Sequence, residues 1–286
     1  MTLRQIEKTL RRKVQRGTQA ARWKRQEACF GLIPSAEMLM MPATMNPRIF
    51  IWLLALLLAT AAVHPAPASE QELVLIRVQY TVMTQDETQR NDWNAKDFAH
   101  VLENVSGLLN ETTSVQVSPD PKVLKLTDEA LFSHPFLFMA GHHGLVLSET
   151  EVDRLRTHLT KGGFLLATAC CGSPSFANSF EREMKKVFPS HKLAVIRPEH
   201  LVYRSLYKLT TIHCLSGASG TDSSFDFDPM PLKGIEIDGR LAVVFCPPAL
   251  TCGWATSGTC IASCRRVAPD DARKLAANIV VYALTH

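Results

Sequence analysis

Two short segments carry side chains whose types and spacing could do chemistry. Ala169-Cys-Cys-Gly-Ser173 closes the apolar run Phe164–Ala169. A buried strand that turns through small residues into a helix presents a side chain at the turn, and the helix N-terminus lowers the pKa of a thiol placed there. The window reads Thr168-x-Cys170-x-Gly172 on one cysteine and Ala169-x-Cys171-x-Ser173 on the other, so neither completes G-x-C-x-G. Met139-Ala-Gly-His-His-Gly144 overlaps the end of a second apolar run, Phe136–Ala140, and extends past it. His142 and His143 are therefore candidate bases for Cys170 or Cys171, or candidate metal ligands. His200, in the polar stretch Arg197–Arg204, and His213 are the other candidate partners. The competing reading packs both cysteines as small apolar side chains in a tight turn and leaves the histidines on loops.

Four more cysteines, Cys246, Cys252, Cys260 and Cys264, fall close together near the C-terminus. C-x7-C-x3-C is not a zinc-finger spacing, so no metal is expected; Cys252, Cys260 and Cys264 are the candidates if one is bound. In an oxidising compartment one or two disulfides are the expected use of such a cluster.

Composition narrows the classes. The chain has 286 residues, 46% hydrophobic and 20% charged, which excludes a disordered protein. Residues 1–48 hold ten Lys/Arg against three Asp/Glu, so the basic balance belongs to the N-terminus and residues 69–286 are mildly acidic. Nucleic acid is accordingly not an expected partner. Ile49–Val63 is uncharged and apolar, follows Arg48 and precedes Ala66-Pro-Ala68. A basic flank, a short apolar region and an A-x-A site make a secretory signal, or a signal anchor if uncut, over residues 45–68. The domain is thus expected outside the cytoplasm, periplasmic or in the cell envelope, with residues 49–63 as the one membrane-spanning candidate. Residues 1–44 form a basic extension that is long for a signal, and Met41 or Met45 would give a start of ordinary length.

The elements that must position the two segments follow from periodicity. Leu73–Tyr80 reads as a strand, Asn94–Leu109 as an amphipathic helix, and Ser114–Val117 as a short second strand. Ser148-Glu-Thr-Glu151 is a capping box for a helix that Gly162-Gly163 ends. Phe136–Ala140 and Phe164–Ala169 suit strands buried on both faces. Phe180–Phe188 reads as a helix and Leu193–Ile196 as a strand, while Ser216–Pro231 reads as an exposed loop. Gly234–Ile237 and Leu241–Cys246 flank Asp238-Gly239, a hairpin expected at a sheet edge. Asp270–Leu284 closes the chain as a helix. The alternation predicts an α/β fold: a mostly parallel sheet between two layers of helices, with both chemical segments at the carboxyl ends of strands, where open sheets bind ligands.

Leu75–Tyr80, Asn91-Asp-Trp93, His134–His142, Gly162–Ala167, Cys171-Gly-Ser173, Gly234–Arg240 and Asn278–Leu284 together resemble domain-of-unknown-function family 4159, over roughly residues 72–284. The resemblance implies a class I glutamine-amidotransferase-like, flavodoxin-like three-layer sandwich with Cys170-Cys171 where such enzymes hold their nucleophile. It also implies association with AAA ATPases of the MoxR type and von Willebrand A-domain proteins. The amidotransferase His-Pro-Glu is missing, since Pro198-Glu-His200 has the wrong order. The expected function is therefore an exported, non-catalytic module that binds a ligand or protein partner, with no cofactor. The alternative is a cysteine-dependent hydrolase or transferase using Cys170 or Cys171 with His142, His143 or His200 as base.

Overall fold

The computed structural model describes residues 72–96, 99–217, 223–224, 231–255 and 263–286. The basic extension 1–44, the apolar run 49–63 and Cys260 lie outside the described residues. Twelve strands are described: β1 (Ile76–Gln79), β2 (Thr81–Met83), β3 (Lys122–Lys125), β4 (Phe136–Gly141), β5 (Gly144–Val146), β6 (Phe164–Ala169), β7 (Ala194–Val195), β8 (Cys214–Ser216), β9 (Ser223–Ser224), β10 (Lys233–Ile237), β11 (Arg240–Cys246) and β12 (Arg265–Val267). Five helices accompany them: α1 (Val101–Thr112), α2 (Glu149–Thr160), α3 (Pro174–Val187), α4 (Thr251–Trp254) and α5 (Pro269–Thr285).

Seven strands form one sheet in the order β3-β1-β4-β6-β11-β10-β7. The first five are mutually parallel and β10 runs antiparallel to its neighbours. Counted along the chain, the five parallel strands lie in the order 2-1-3-4-5, so the topological switch falls between β1 and β4. Alternation along β4 and β6 divides their side chains between two cores. Phe136, Phe138, Phe164 and Leu166 pack with α1 and α5 on one face. Leu137, Met139, Leu165 and Ala167 pack with α2 and α3 on the other. All six residues of each strand are buried, as strands covered by helices on both faces require.

The structure changes several sequence expectations. The first helix does not run from Asn94: Asp92–Asn94 is a separate 3-10 turn and α1 begins at Val101. Ala95 leaves that turn with non-helical backbone (φ −59°, ψ 146°), so the turn does not continue as an α-helix. Ser114–Val117 contributes only a bridge from Val117 to Leu73, while Lys122–Lys125 supplies the sheet's outer strand. The hairpin is not at an edge. Its second strand, β11, pairs with β6 in the sheet interior, and its first, β10, is covered by β7. The last turn of α2 is closed by Gly162 at φ 102°, and Arg240 donates to Leu159 O and Gly163 O beside it. No helix among the described residues is long and apolar enough to cross a membrane.

Candidate functional site

Three chain segments meet at the carboxyl ends of β4 and β6, next to the switch point. The first is the turn after β6. Cys170 continues the strand into the interior: it is 1% exposed, and its sulfur sits 3.2 Å from the Thr251 hydroxyl. Cys171 then adopts the left-handed region (φ 52°, ψ 18°) and Gly172 follows at φ 68°. Two consecutive left-handed residues reverse the chain, so the two adjacent cysteine side chains have different surroundings. Ser173 caps α3, accepting from the Phe176 amide, and Pro174 takes the first helical position, where its missing N–H costs nothing. Ser173 also donates its hydroxyl proton to His142 O, which ties this turn to the end of β4.

The second segment is Gly141-His142-His143. Asp92, only 5% exposed, accepts from the backbone amides of His142 (2.6 Å) and His143 (2.8 Å) through Oδ2. Its Oδ1 lies 2.9 Å from His142 Nδ1. Burial works to raise the Asp92 pKa, but the His142 and His143 hydrogen bonds outweigh it and hold the carboxylate below its ordinary value. The arrangement needs a glycine at 141: a Cβ there would lie 2.1 Å from Tyr80 Oη and 2.6 Å from Asp92 Oδ2. His143 offers the site its amide, whereas His142 offers its ring.

The third segment runs from the end of β11 to β12. The buried Thr168 hydroxyl, at the end of β6, donates to Pro248 O and accepts from the Leu250 amide. Those two bonds fix the entry to α4 and so the position of Cys252. Ala249 pairs with the β12 backbone, donating to Arg265 O and accepting from the Val267 amide, which fixes the position of Cys264. Gly172 lies against Arg265, where a Cβ would approach the Arg265 Cβ to 2.8 Å.

The sulfurs of Cys171, Cys252 and Cys264 consequently all lie within 4.8 Å of one another. Cys252 and Cys264 are 3.7 Å apart, far beyond the ~2.05 Å of a disulfide, and no disulfide joins two of the described cysteines. Hydrogen bonds from Cys252, Cys264 and His142, in that order of weight, push the Cys171 pKa far below the thiol range despite partial burial. That shift favours the thiolate, the form that attacks as a nucleophile or binds a soft cation.

The remaining candidates are placed elsewhere. His200 caps the turn Leu201–Tyr203, accepting from the Val202 amide through Nδ1, and its ring sits 5.3 Å from that of Tyr282. It lines a groove of about 690 Å³ with Arg197 and Glu236, beyond β10 and β11 from Cys171. His213 hydrogen-bonds Asp271 at the start of α5. Cys214 and Cys246 are buried, and burial raises both thiols, Cys214 to about 11. Sequence reasoning missed Asp92 as a site residue; the signal was an acidic side chain in the Asn91-Asp-Trp93 motif, fifty positions before the histidine it orients.

No curated protein matches the chain. A family model, "Domain of unknown function (DUF4159)", matches residues 74–284, which takes in Asp92, His142 and all three clustered cysteines. The chain belongs to the DUF4159 family.

Proposed function

We propose that this chain is an exported module of glutamine-amidotransferase-like fold that binds its ligand in the crevice around Cys171 without turning it over. One observation carries the reading. The Cys171 sulfur stands in a cluster with those of Cys252 and Cys264, all within 4.8 Å of one another, an arrangement that suits thiols shared around a bound ligand better than a lone nucleophile with its base. The amidotransferase-like assignment is supported by the 2-1-3-4-5 strand order and by a left-handed cysteine between β6 and α3. Export rests on the Ile49–Val63 run ahead of Ala66-Pro-Ala68. A partner outside the cytoplasm, in an AAA ATPase and von Willebrand A-domain system, rests on the family resemblance alone.

A second reading, a cysteine-dependent hydrolase or transferase, is favoured by the Asp92–His142–Cys171 chain. There a carboxylate orients an imidazole whose ring hydrogen-bonds the thiol. Hydrolysis of p-nitrophenyl acetate by the purified whole chain separates the two. The binding reading expects background hydrolysis that Cys171→Ser leaves unchanged. A stoichiometric burst followed by sustained turnover, lost in Cys171→Ser and slowed in His142→Ala, would establish the second reading instead.

A further inference from the structure

We infer that Cys171, Cys252 and Cys264 are the protein ligands of one thiophilic divalent metal ion, zinc above others. The inference rests on the crevice being a binding site and names what it binds. Zn–S bonds of about 2.3 Å place tetrahedral sulfur ligands about 3.8 Å apart. Cys252 and Cys264 already stand at 3.7 Å, and Cys171 completes a group whose sulfurs are all within 4.8 Å. Closing a metal between them needs shifts of an ångström or less.

The donor set selects the ion. Three cysteine sulfurs, with no carboxylate among the clustered ligand atoms of the described residues, suit zinc and other soft or borderline ions, which bind them as thiolates, and disfavour magnesium and calcium, which take oxygen ligands. Asp92, the carboxylate that orients His142, is already engaged by two amides and an imidazole. The group of mutually close ligand atoms among the described residues ends with the three sulfurs. A tetrahedral ion takes a fourth donor besides these three sulfurs. His142, oriented by Asp92 and tied through its carbonyl to Ser173 of the Cys171 turn, flanks the group.

The elements around the cluster favour metal over mere packing. Each cysteine arrives on a different segment, and each segment is braced: Cys171 by the Ser173–His142 bond, Cys252 by the Thr168 hydroxyl, and Cys264 by pairing of Ala249 with β12. Cys171 and Cys252 are half-buried, so an ion has a path in. The fully buried thiols Cys170 and Cys246 lie outside the group, each serving as a small core side chain.

The test is a Co²⁺ titration of the reduced, chelator-stripped whole chain, followed by displacement with Zn²⁺. One equivalent of Co²⁺ is expected to raise a sulfur-to-cobalt charge-transfer band and tetrahedral visible bands, and one equivalent of Zn²⁺ to abolish both. Cys252→Ser and Cys264→Ser, one-atom changes, are each expected to weaken binding at least tenfold; Cys214→Ser, outside the group, should leave it intact. Absence of the charge-transfer band, or Co²⁺ affinity unchanged in both Cys252→Ser and Cys264→Ser, would overturn the assignment. Should a variant fail to fold by circular dichroism, the wild type still decides. Zn²⁺ should then protect Cys171, Cys252 and Cys264 from iodoacetamide, and equal labelling with and without Zn²⁺ counts against the site. The two levels fail separately. Sustained esterase turnover by metal-free protein removes the binding reading whatever the titration shows, while a silent titration without turnover removes only the metal.

Discussion

At the scale of single residues, a buried histidine shows how tightly the crevice's supporting strand is packed. His158, 3% exposed on α2, has its pKa lowered from 6.5 to about 4: burial disfavours the imidazolium and Arg240 repels it, against a backbone bond to Pro135 that favours it. The folded state holds the ring neutral while the unfolded chain protonates it near its ordinary value. Its contribution is therefore complete above about pH 6.5, falls as pH drops toward 4, and is spent below that. The shift corresponds to a loss of about 3 kcal/mol at most across that window. Urea unfolding at pH 7 and pH 4 should show His158→Leu losing less stability than wild type between the two; equal losses would remove His158 as a source. Gly141 makes a sharper case, because the space its Cβ would need is taken by Tyr80 and Asp92. Gly141→Ala should cost about 2–3 kcal/mol in the same assay, the cost of overpacking a core that cannot give, and should weaken Co²⁺ binding by displacing Asp92 from His142.

Among the elements, those legible from sequence are the ones whose neighbours along the chain decide their structure. The capping box formed as read: Ser148 accepts from the Glu151 amide, and Glu151 accepts in return from the Ser148 amide. Ser148→Ala should lower stability by about 1 kcal/mol, readable in thermal or urea melts, and leave Co²⁺ binding unchanged. β4 and β6 were legible because unbroken apolar runs flanked by turn residues leave few alternatives. β3 was not, since Lys122-Val-Leu-Lys125 lies at the sheet's edge with three of four residues exposed, and edge strands carry the lysines that discourage further pairing. The candidate site was legible in halves. His142 and Cys171 follow buried strands and were found; Asp92, and the convergence of Cys252 and Cys264 on Cys171, depend on long-range packing that spacing does not encode. Thr168 links the halves. Thr168→Val keeps the shape but strands the Leu250 amide and Pro248 carbonyl, a cost of about 1–3 kcal/mol. It should also weaken Co²⁺ binding with no cysteine touched.

For the domain as a whole, the cysteine cluster joins the turn after β6 to the start of α4 and the approach to β12, with Cys171 more than eighty positions before Cys252 and Cys264 in sequence. An ion held there binds the folded chain and has no matching site when the three segments separate, so binding and folding are linked. At a free Zn²⁺ concentration a hundredfold above the dissociation constant, the linkage contributes about 2.7 kcal/mol. A domain of this size gains roughly 2–4 °C in melting temperature per kcal/mol, so the melt should rise by about 5–10 °C. Mg²⁺ at the same concentration should do nothing, because three thiolates offer it no oxygen. Cys264→Ser, binding at least tenfold more weakly, should show at most about half that shift at the same Zn²⁺ concentration, and an undiminished Zn²⁺ shift in that variant would place the ion elsewhere. The size of the effect follows from connectivity: the same three thiols on one loop would restrain only that loop, whereas here they restrain the carboxyl edge of the sheet against the C-terminal layer that covers it.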